Sequence, residues 1–498
     1  MNDVCKLIFR GAIPWLTVVL AIFVLAGCAA VGPNYLPPDT PVSATWHTGL
    51  KGGLSAEEMN LRTLAEWWKT LNDPGLSSLI DRAVSGNLDL KKARARVREA
   101  RAKRGIAQAG FLLTLNATGS ADWTYTKTWS SGSKTTNSNA STSTSTGSQN
   151  LYTTGLDAGW EIDIFGGVRR SVEAATGDLQ ATWEELRNVL VSLLAEVATN
   201  YVDVRTYQAL ITVAEANLEA QTETYQLTQW RYEAGLSDEL AVQQARYNLE
   251  NTRSQLPALR TTLEEAMNRA AVLLGEPPGK VHAELEKQEP IPVTPLKVAV
   301  GVPADLLRRR PDVRQAERQL AAQTARIGVA TADLYPKFTL NGSIGLEALS
   351  LNSLSSYGFT ATGGPQITWA LFKGGAIRQN IEVQSALQEQ YLITYEATVL
   401  GALEEVENAL VGYAEVKQRR RSLSEATQAA QKAVELAQHK YQAGLTDFNN
   451  VLDAQRSLLS LQEQLTQSEG SATSNLIRLY KALGGGWTSA APDEKNER

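Results

Sequence analysis

The chain has only two cysteines in 498 residues, Cys5 and Cys28, and none after position 28. Everything that follows therefore has no disulfide and no thiolate metal site to rely on. Histidine is nearly as scarce: His47, His282 and His439 stand far apart and show no ligand spacing. No convergent set of acid, base and nucleophile appears, which argues against an enzyme and predicts no cofactor. The net charge of -5 argues against nucleic acid as a partner, and the basic run Arg308-Arg309-Arg310 is stopped at once by Pro311. Beyond the first 28 residues no stretch is apolar enough for a membrane-spanning helix. If this chain crosses a membrane, it does so with strands.

What is present begins with an address. Lys6 and Arg10 precede an apolar run from Ile13 to Leu25, too short and too abruptly ended for a spanning helix. It closes on Leu25-Ala26-Gly27-Cys28, which resembles a bacterial lipobox, so residues 1–27 read as a lipoprotein signal peptide. Cys28 would be acylated and become the mature N-terminus. Acyl chains anchor a protein to a leaflet without spanning it.

The remainder repeats itself after roughly 200 residues, the mark of one architecture built twice. Val242, Leu249, Leu256, Leu263 and Ala270 follow at steps of seven, and Val451, Leu458, Leu465, Ala472 and Leu479 do the same. Such heptads predict coiled-coil packing. Ahead of them sit near-copies of one turn, Arg231-Tyr232-Glu233-Ala234-Gly235-Leu236-Ser237-Asp238 and Lys440-Tyr441-Gln442-Ala443-Gly444-Leu445-Thr446-Asp447. Gly235 and Gly444 fit left-handed helix stops, with Ser237 and Thr446 as N-caps of the returning helices.

Each copy also holds two strands of strict alternation. Phe111, Leu113, Leu115, Ala117, Ala121, Trp123 and Tyr125 interleave with Thr114, Asn116, Thr118, Ser120, Asp122 and Thr124. Leu156, Ala158, Trp160, Ile162 and Ile164 form a second apolar series, Phe338, Leu340, Ile344, Leu346 and Ala348 a third. Phe359, Ala361, Ile367, Trp369 and Leu371 form the fourth. Each predicted strand is long enough to cross a bilayer at a tilt. Two hairpins leave unpaired edges, and unpaired backbone in hydrocarbon costs several kcal/mol per group. The smallest closed membrane barrels have about eight strands, so if these strands enter a membrane at all, several copies share one barrel; otherwise they are two hairpins packed on a soluble domain. The segment Trp129–Asn150, nearly all Ser, Thr, Asn and Gly, reads as an exposed loop.

The expected order is an N-terminal extended segment over 28–72, then repeat 1 over 73–274. That repeat comprises a helix over 73–108, a hairpin over 111–165, a long helix over 166–234 and a helix over 237–274. A proline-rich linker over 275–302 reads as extended. Repeat 2, over 303–486, holds a helix over 303–332, a hairpin over 337–372, a long helix over 374–443 and a helix over 446–483. A tail over 487–498 closes the chain. Each long helix would measure about 100 Å at the α-helical rise, and Pro257 should bend the helix that contains it.

Several motifs together resemble the outer-membrane efflux channels of the TolC/OprM type, in the NodT-like lipoprotein branch. They are Cys28-Ala29-Ala30-Val31-Gly32-Pro33-Asn34-Tyr35, Trp160-Glu161-Ile162-Asp163-Ile164-Phe165-Gly166-Gly167 and Leu307-Arg308-Arg309-Arg310-Pro311-Asp312-Val313-Arg314-Gln315-Ala316-Glu317. Leu371-Phe372-Lys373-Gly374-Gly375, Leu452-Asp453-Ala454-Gln455-Arg456-Ser457 and Leu479-Tyr480-Lys481-Ala482-Leu483-Gly484-Gly485-Gly486-Trp487 complete the set. The resemblance covers essentially the whole chain after the leader. It implies a mixed α and β membrane protein, internally duplicated, with four transmembrane strands per chain. These strands would join a trimeric twelve-stranded barrel above a periplasmic helical coiled-coil tunnel. By family habit, Ala29 rather than Asp after Cys28 favours the outer membrane. The implied partners are two sister copies, outer-membrane lipid, a periplasmic adaptor and an inner-membrane pump, expected to be of the RND type. The one departure is Leu113, where the family usually has proline.

Within that frame Asp453 and Arg456 lie three apart on one helical face. An exposed ion pair there is worth only a few tenths of a kcal/mol. The resemblance instead makes the pair part of a periplasmic gate, together with Tyr441, Gln442 and Asn449. The first copy has Gln244 and Tyr247 at the matching positions. The tips Gly235-Leu236-Ser237 and Gly444-Leu445-Thr446 are at the least tight turns, and the resemblance makes them adaptor contacts. A competing reading is a lipid-anchored adhesive coiled-coil protein with no pore. Apolar faces on all four strands weigh against it, because a display hairpin needs none.

Overall fold

The computed structural model describes residues 30–39, 43–57, 60–130, 143–295, 297–303, 309–351 and 358–487. Cys28, most of the short loop expected around Ser350 to Ser356 in the second hairpin, and the C-terminal tail beyond Trp487 lie outside the described residues.

The chain opens with the short strand β1 (Leu54–Ser55), helix α1 (Leu61–Ala65) and a 3-10 turn (Trp67–Leu71). Helices α2 (Pro74–Gly86) and α3 (Leu88–Ala109) lead into strands β2 (Thr114–Ser130) and β3 (Ser143–Ile162). Then come the 67-residue helix α4 (Gly167–Glu233) and helix α5 (Glu239–Leu274). The single-turn α6 (His282–Leu285) and strand β4 (Val298–Ala299) connect to α7 (Pro311–Ala332). Strands β5 (Lys337–Ala348) and β6 (Phe359–Thr368) follow, then the 67-residue α8 (Ala376–Gln442) and finally α9 (Phe448–Ala482).

Contacts divide the chain into two units. One comprises the N-terminal segment up to Pro37, Glu99–Leu179 and Arg318–Leu392, and contains a four-stranded antiparallel sheet of order β2-β3-β5-β6. The other comprises Pro38–Arg98, Gln180–Glu317 and the chain from Ile393 onward. Its main core joins Leu76, Leu79 and Ile80 of α2 to Leu194, Val197 and Tyr201 of α4. Ala271 and Leu274 of α5, Leu410 and Tyr413 of α8 and Leu476 and Tyr480 of α9 complete it. Trp67 stacks on Tyr480 at 5.5 Å between ring centres. None of the ten heptad residues is exposed, as a helix seam requires.

The Arg310-Pro311-Asp312 motif knits this second unit together. Arg310, buried ahead of α7, donates to Ala482 O at 2.7 Å, to Asp312 Oδ2 at 2.7 Å and to Glu405 Oε2 at 2.7 Å. Burial works against its charge, but the two carboxylates outweigh it and raise its pKa. Pro311 opens α7 where a missing N–H costs nothing. Arg314 and Arg187 share the buried Glu184 at 2.8 and 2.6 Å and both lie over the ring of Trp487.

The structure corrects five expectations. The helix expected over 73–108 breaks at Asn87, whose backbone turns extended. The Asn87 side chain bridges Leu273 O and Leu90 N, trading a helical residue for a cap. The helix expected from 303 is seen as α7 from Pro311, because residues 309–310 interrupt it and 304–308 lie outside the described residues. Within the expected Trp129–Asn150 loop, residues 129–130 and 143–150 are strand, since β2 and β3 stay paired as far as Ser130↔Ser143. Residues 131–142 lie outside the described residues. The linker is not extended throughout, because it holds the helical turn α6, while its β4 is extended and pairs in parallel with β1 through Leu54↔Val298. Finally, Asp238 and Asp447, not Ser237 and Thr446, occupy the N-cap positions of α5 and α9. The Asp238 carboxylate accepts from Ala241 N at 2.9 Å, a stronger cap for the positive helix end than a hydroxyl. Helix α5 continues through Pro257 without interruption.

Candidate functional site: a two-faced sheet and paired helical tips

Pairing register decides which side chains share a face, because residues directly opposite point the same way. Leu115 faces Ala158 and Ala117 faces Leu156. Leu156 faces Ile344 and Trp160 faces Leu340. Ile344 faces Ala361 and Phe338 faces Ile367. All four apolar series therefore fall on one face of one sheet. Its large members, among them Leu115, Trp123, Leu340, Ile344, Phe359 and Ile367, are exposed within the chain. The opposite face is polar and ties itself across strands. Thr118 donates to Asp157 at 3.0 Å and Asn341 to Gln366 at 2.7 Å. The Ser120 and Thr153 hydroxyls meet at 2.9 Å, those of Ser343 and Thr362 at 2.6 Å. Strands β2 and β6 are the edges, and neither has an outer partner among the described residues.

The sheet is fastened to its helices by the Trp160–Gly167 motif. The Trp160 indole donates to Phe111 O at 3.0 Å, and Trp369 repeats the contact with Leu334 O at 3.0 Å. The Asp163 carboxylate receives Val168 N at 3.0 Å and Arg169 N at 2.9 Å, capping α4. Arg170, 3% exposed, gathers the start of the described chain. It donates to Val31 O at 3.0 Å, Gly32 O at 3.2 Å and Asn34 Oδ1 at 2.7 Å. Val31 N in turn donates to Phe165 O at 3.0 Å. The Cys28–Tyr35 motif marks this segment in the sequence, but no local pattern signals the Arg170 clamp.

The tips are two copies of one turn. Gly235 and Gly444 take left-handed φ values of 70° and 74°. Leu236 N returns to Arg231 O and Gly235 N to Tyr232 O; Leu445 N returns to Lys440 O and Gly444 N to Tyr441 O. Both are Schellman stops. Leu236 and Leu445 stand well exposed, while Ser237 and Thr446 are half-buried. The Thr446 hydroxyl accepts from Asn450 Nδ2 at 2.7 Å.

Of the five gate candidates, Gln442, Asn449, Asp453 and Arg456 are exposed. Tyr441 is buried in a cluster with Ala241, Ala245, Phe448, Val451 and Leu452. Its ring lies 5.2 Å from that of Phe448 and carries the Arg231 guanidinium 4.6 Å above it. Asp453 and Arg456 come only to 3.9 Å. Arg456 instead donates Nε to Asn248 Oδ1 at 3.1 Å and lies 5.5 Å over the Tyr247 ring. Asn248, Arg231 and Phe448 were missed in the sequence, because each acts across helices with no local pattern to mark it. No cluster able to hold a metal occurs among the described residues, and none of their helices is long and apolar enough to cross a membrane.

The outer membrane efflux protein model matches residues 79–276 and 302–485. The chain belongs to this family. Nodulation protein T of Rhizobium leguminosarum bv. trifolii is 33% identical over 469 residues, covering 94% of this chain and 96% of that protein. The solvent efflux pump outer membrane protein SrpC of Pseudomonas putida is 33% identical over 473 residues, covering 94% and 98%. Among solved structures, the outer-membrane channel OprN superposes with a TM-score of 0.82 at 35% identity, covering 92% of this chain and all of that one. As a member of the outer membrane efflux family, the chain is an outer-membrane channel protein, and the relatives it matches are channels rather than enzymes.

Proposed function

We propose that three copies of this chain close their sheets into one twelve-stranded barrel in the outer membrane. An acylated Cys28 anchors each copy to the inner leaflet once residues 1–27 are removed. The duct docks on a periplasmic adaptor and an inner-membrane pump of the RND type, which supplies the energy. The channel needs no cofactor; its only non-protein group is the lipid on Cys28. One observation carries this reading: a sheet that gathers all four apolar series on one face, is polar on the other, and has two edges unpaired among the described residues. In hydrocarbon such edges must be paired, and closure on sister copies pairs them all. Relatives of equal identity are named for nodulation and for solvent efflux. Such naming is in keeping with a duct that leaves the choice of cargo to the pump.

In this reading Asp453 and Arg456, with Gln442 and Asn449, ring the periplasmic entrance, and the buried Tyr441 holds the helices that carry them. The tips Gly235-Leu236-Ser237 and Gly444-Leu445-Thr446 meet the adaptor. Purified protein in a planar bilayer should give stepwise currents, and a trimer mass should accompany them. A monomer without conductance would end the duct reading and leave the adhesive one. Asp453→Ala should raise single-channel conductance; no change would remove Asp453 from the gate. Gly444→Asp should abolish efflux while the trimer stays intact.

A further inference from the structure

We infer that β6, with the residue Trp369 that follows it, pairs with β2 of the next copy in one defined register, with Trp369 opposite the partner subunit's Ala117 and Thr362 opposite the partner subunit's Thr124. This rests on the shared barrel proposed above and fixes its seam residue by residue.

The two halves of the chain supply the register. Phe111 and Leu334 each accept an indole N–H, from Trp160 and Trp369 respectively. Setting Phe111 on Leu334 carries α3, Leu88–Ala109, onto α7, Pro311–Ala332, end for end. Setting Trp160 on Trp369 as well carries the pair Thr114↔Gly159 onto Lys337↔Thr368, which is the pair observed. Two hairpins of different length thus obey one operation. The seam between the halves, β3 against β5, is also observed. The same operation applied to that seam joins the second half to the first half of another copy. Trp160↔Leu340 becomes Trp369 against the partner subunit's Ala117, and Thr153↔Glu347 becomes Thr362 against the partner subunit's Thr124.

Three independent features agree with this register. First, it keeps faces matched: apolar residues of β6 meet apolar-face residues of β2, and polar ones meet polar ones. A slip by one residue would turn every side chain to the wrong face. Second, sizes complement. Gly363 meets the partner subunit's Trp123, Ala361 meets the partner subunit's Tyr125, and Ile367 meets the partner subunit's Gly119. Third, these residues are those left uncovered in the single chain, with Trp123, Tyr125, Ile367 and Trp369 all more than half exposed. Glu347 N bonds to Gly358 O, so odd residues of β5 and even residues of β6 bond each other. That places the nitrogen of Pro365 on the open edge, where a missing N–H breaks nothing within the chain. The seam accordingly has one bond fewer there. It also makes Thr362 and the partner subunit's Thr124 a non-hydrogen-bonded pair, with Cα atoms about 4.5 Å apart and within disulfide reach.

The test is cysteine pairing in the full-length protein in its membrane. Thr362→Cys with Thr124→Cys should give a covalent trimer on mild oxidation, and so should the second pair, Thr368→Cys with Thr118→Cys. Each single variant should give none. Thr362→Cys with Ser120→Cys, four residues out of register, should cross-link at least tenfold less. Stronger linking with Ser120→Cys, or a trimer by mass in which neither expected pair links, overturns the register while leaving the trimer intact. A monomer by mass overturns the barrel reading beneath it, and the seam with it.

Discussion

The two strand-to-helix junctions of this chain are copies in sequence and opposites in surroundings. At the first, Phe165 stacks on Tyr335 at 4.6 Å, and Gly166 takes a φ of 82° against Ala30. At the second, Phe372 is 88% exposed, and nothing lies within 4 Å of where a methyl on Gly374 or Gly375 would point. Arg170 is buried among carbonyls, whereas Arg378, the same distance past its glycine pair, is exposed. The cover over the first junction is the segment Ala30–Asn34, and a chain has only one such segment. Duplication therefore supplied the frame twice and the clamp once. The half without it turns its apolar residues outward.

The sharpest way to break this comparison is a methyl group at matched glycines. Gly166→Ala would put Cβ 2.5 Å from Ala30 Cβ at a left-handed φ. Overpacking and backbone strain together cost about 4 kcal/mol. Gly374→Ala at a φ of 58° meets no neighbour and should cost only the left-handed strain, about 1 kcal/mol. Equal losses of thermal stability in detergent would show that the first junction is no more tightly built than the second.

The tips give the next contrast. Tyr232 and Tyr441 hold matching positions, yet Tyr232 is 45% exposed and Tyr441 is buried under Arg231. Tyr441→Ala should cost about 3 kcal/mol, and Tyr232→Ala less than about 0.5 kcal/mol. The Tyr441 hydroxyl is buried without a hydrogen-bond partner. Tyr441→Phe should therefore be neutral or stabilising by up to about 1 kcal/mol. Losing stability with Tyr441→Phe would mean the hydroxyl has a partner in the assembled channel.

Arg170→Ala ranks third. It strands the carbonyls of Val31 and Gly32 and should cost about 2 kcal/mol, with new protease cleavage near Asn34. Arg378→Ala should leave both unchanged within about 0.5 kcal/mol.

These contrasts also mark what a sequence can show. Alternation in the strands, heptads in α5 and α9 and the glycine stops are local patterns, and each repeats, so architecture and tips could be read directly. Side-chain caps were harder: Ser237 and Asp238 are adjacent and both able to cap, and only backbone geometry selects Asp238. Asn87 carries no signal that distinguishes a helical Asn from a break. The pairing of Val298 with Leu54 joins residues nearly half the chain apart, with too few residues for any period. Tyr441 and Asp453 looked alike as gate residues, yet one is core and the other surface. That difference depends on Phe448 and Arg231 converging from separate helices.

The smallest effect concerns the N-terminal segment, which is gripped by opposite chemistries in the two units. Arg170 holds carbonyls of Val31 and Gly32. Glu407 holds amides instead, His47 N at 2.8 Å and Thr48 N at 3.0 Å. Burial alone would push the Glu407 carboxyl up, but hydrogen bonds from Thr48 and His47 outweigh it and keep it below the usual glutamate range. A lowered carboxyl pKa contributes stability above its unfolded value and loses it as pH falls through the folded one. The contacts that hold the Val31 and Gly32 carbonyls involve no carboxylate. Acidification through and below the ordinary glutamate range should therefore reduce hydrogen-exchange protection at His47 and Thr48 while Val31 stays protected. Glu407→Gln should produce the same selective loss at neutral pH. Simultaneous release of Val31 would show that the two grips are one cooperative unit and not two.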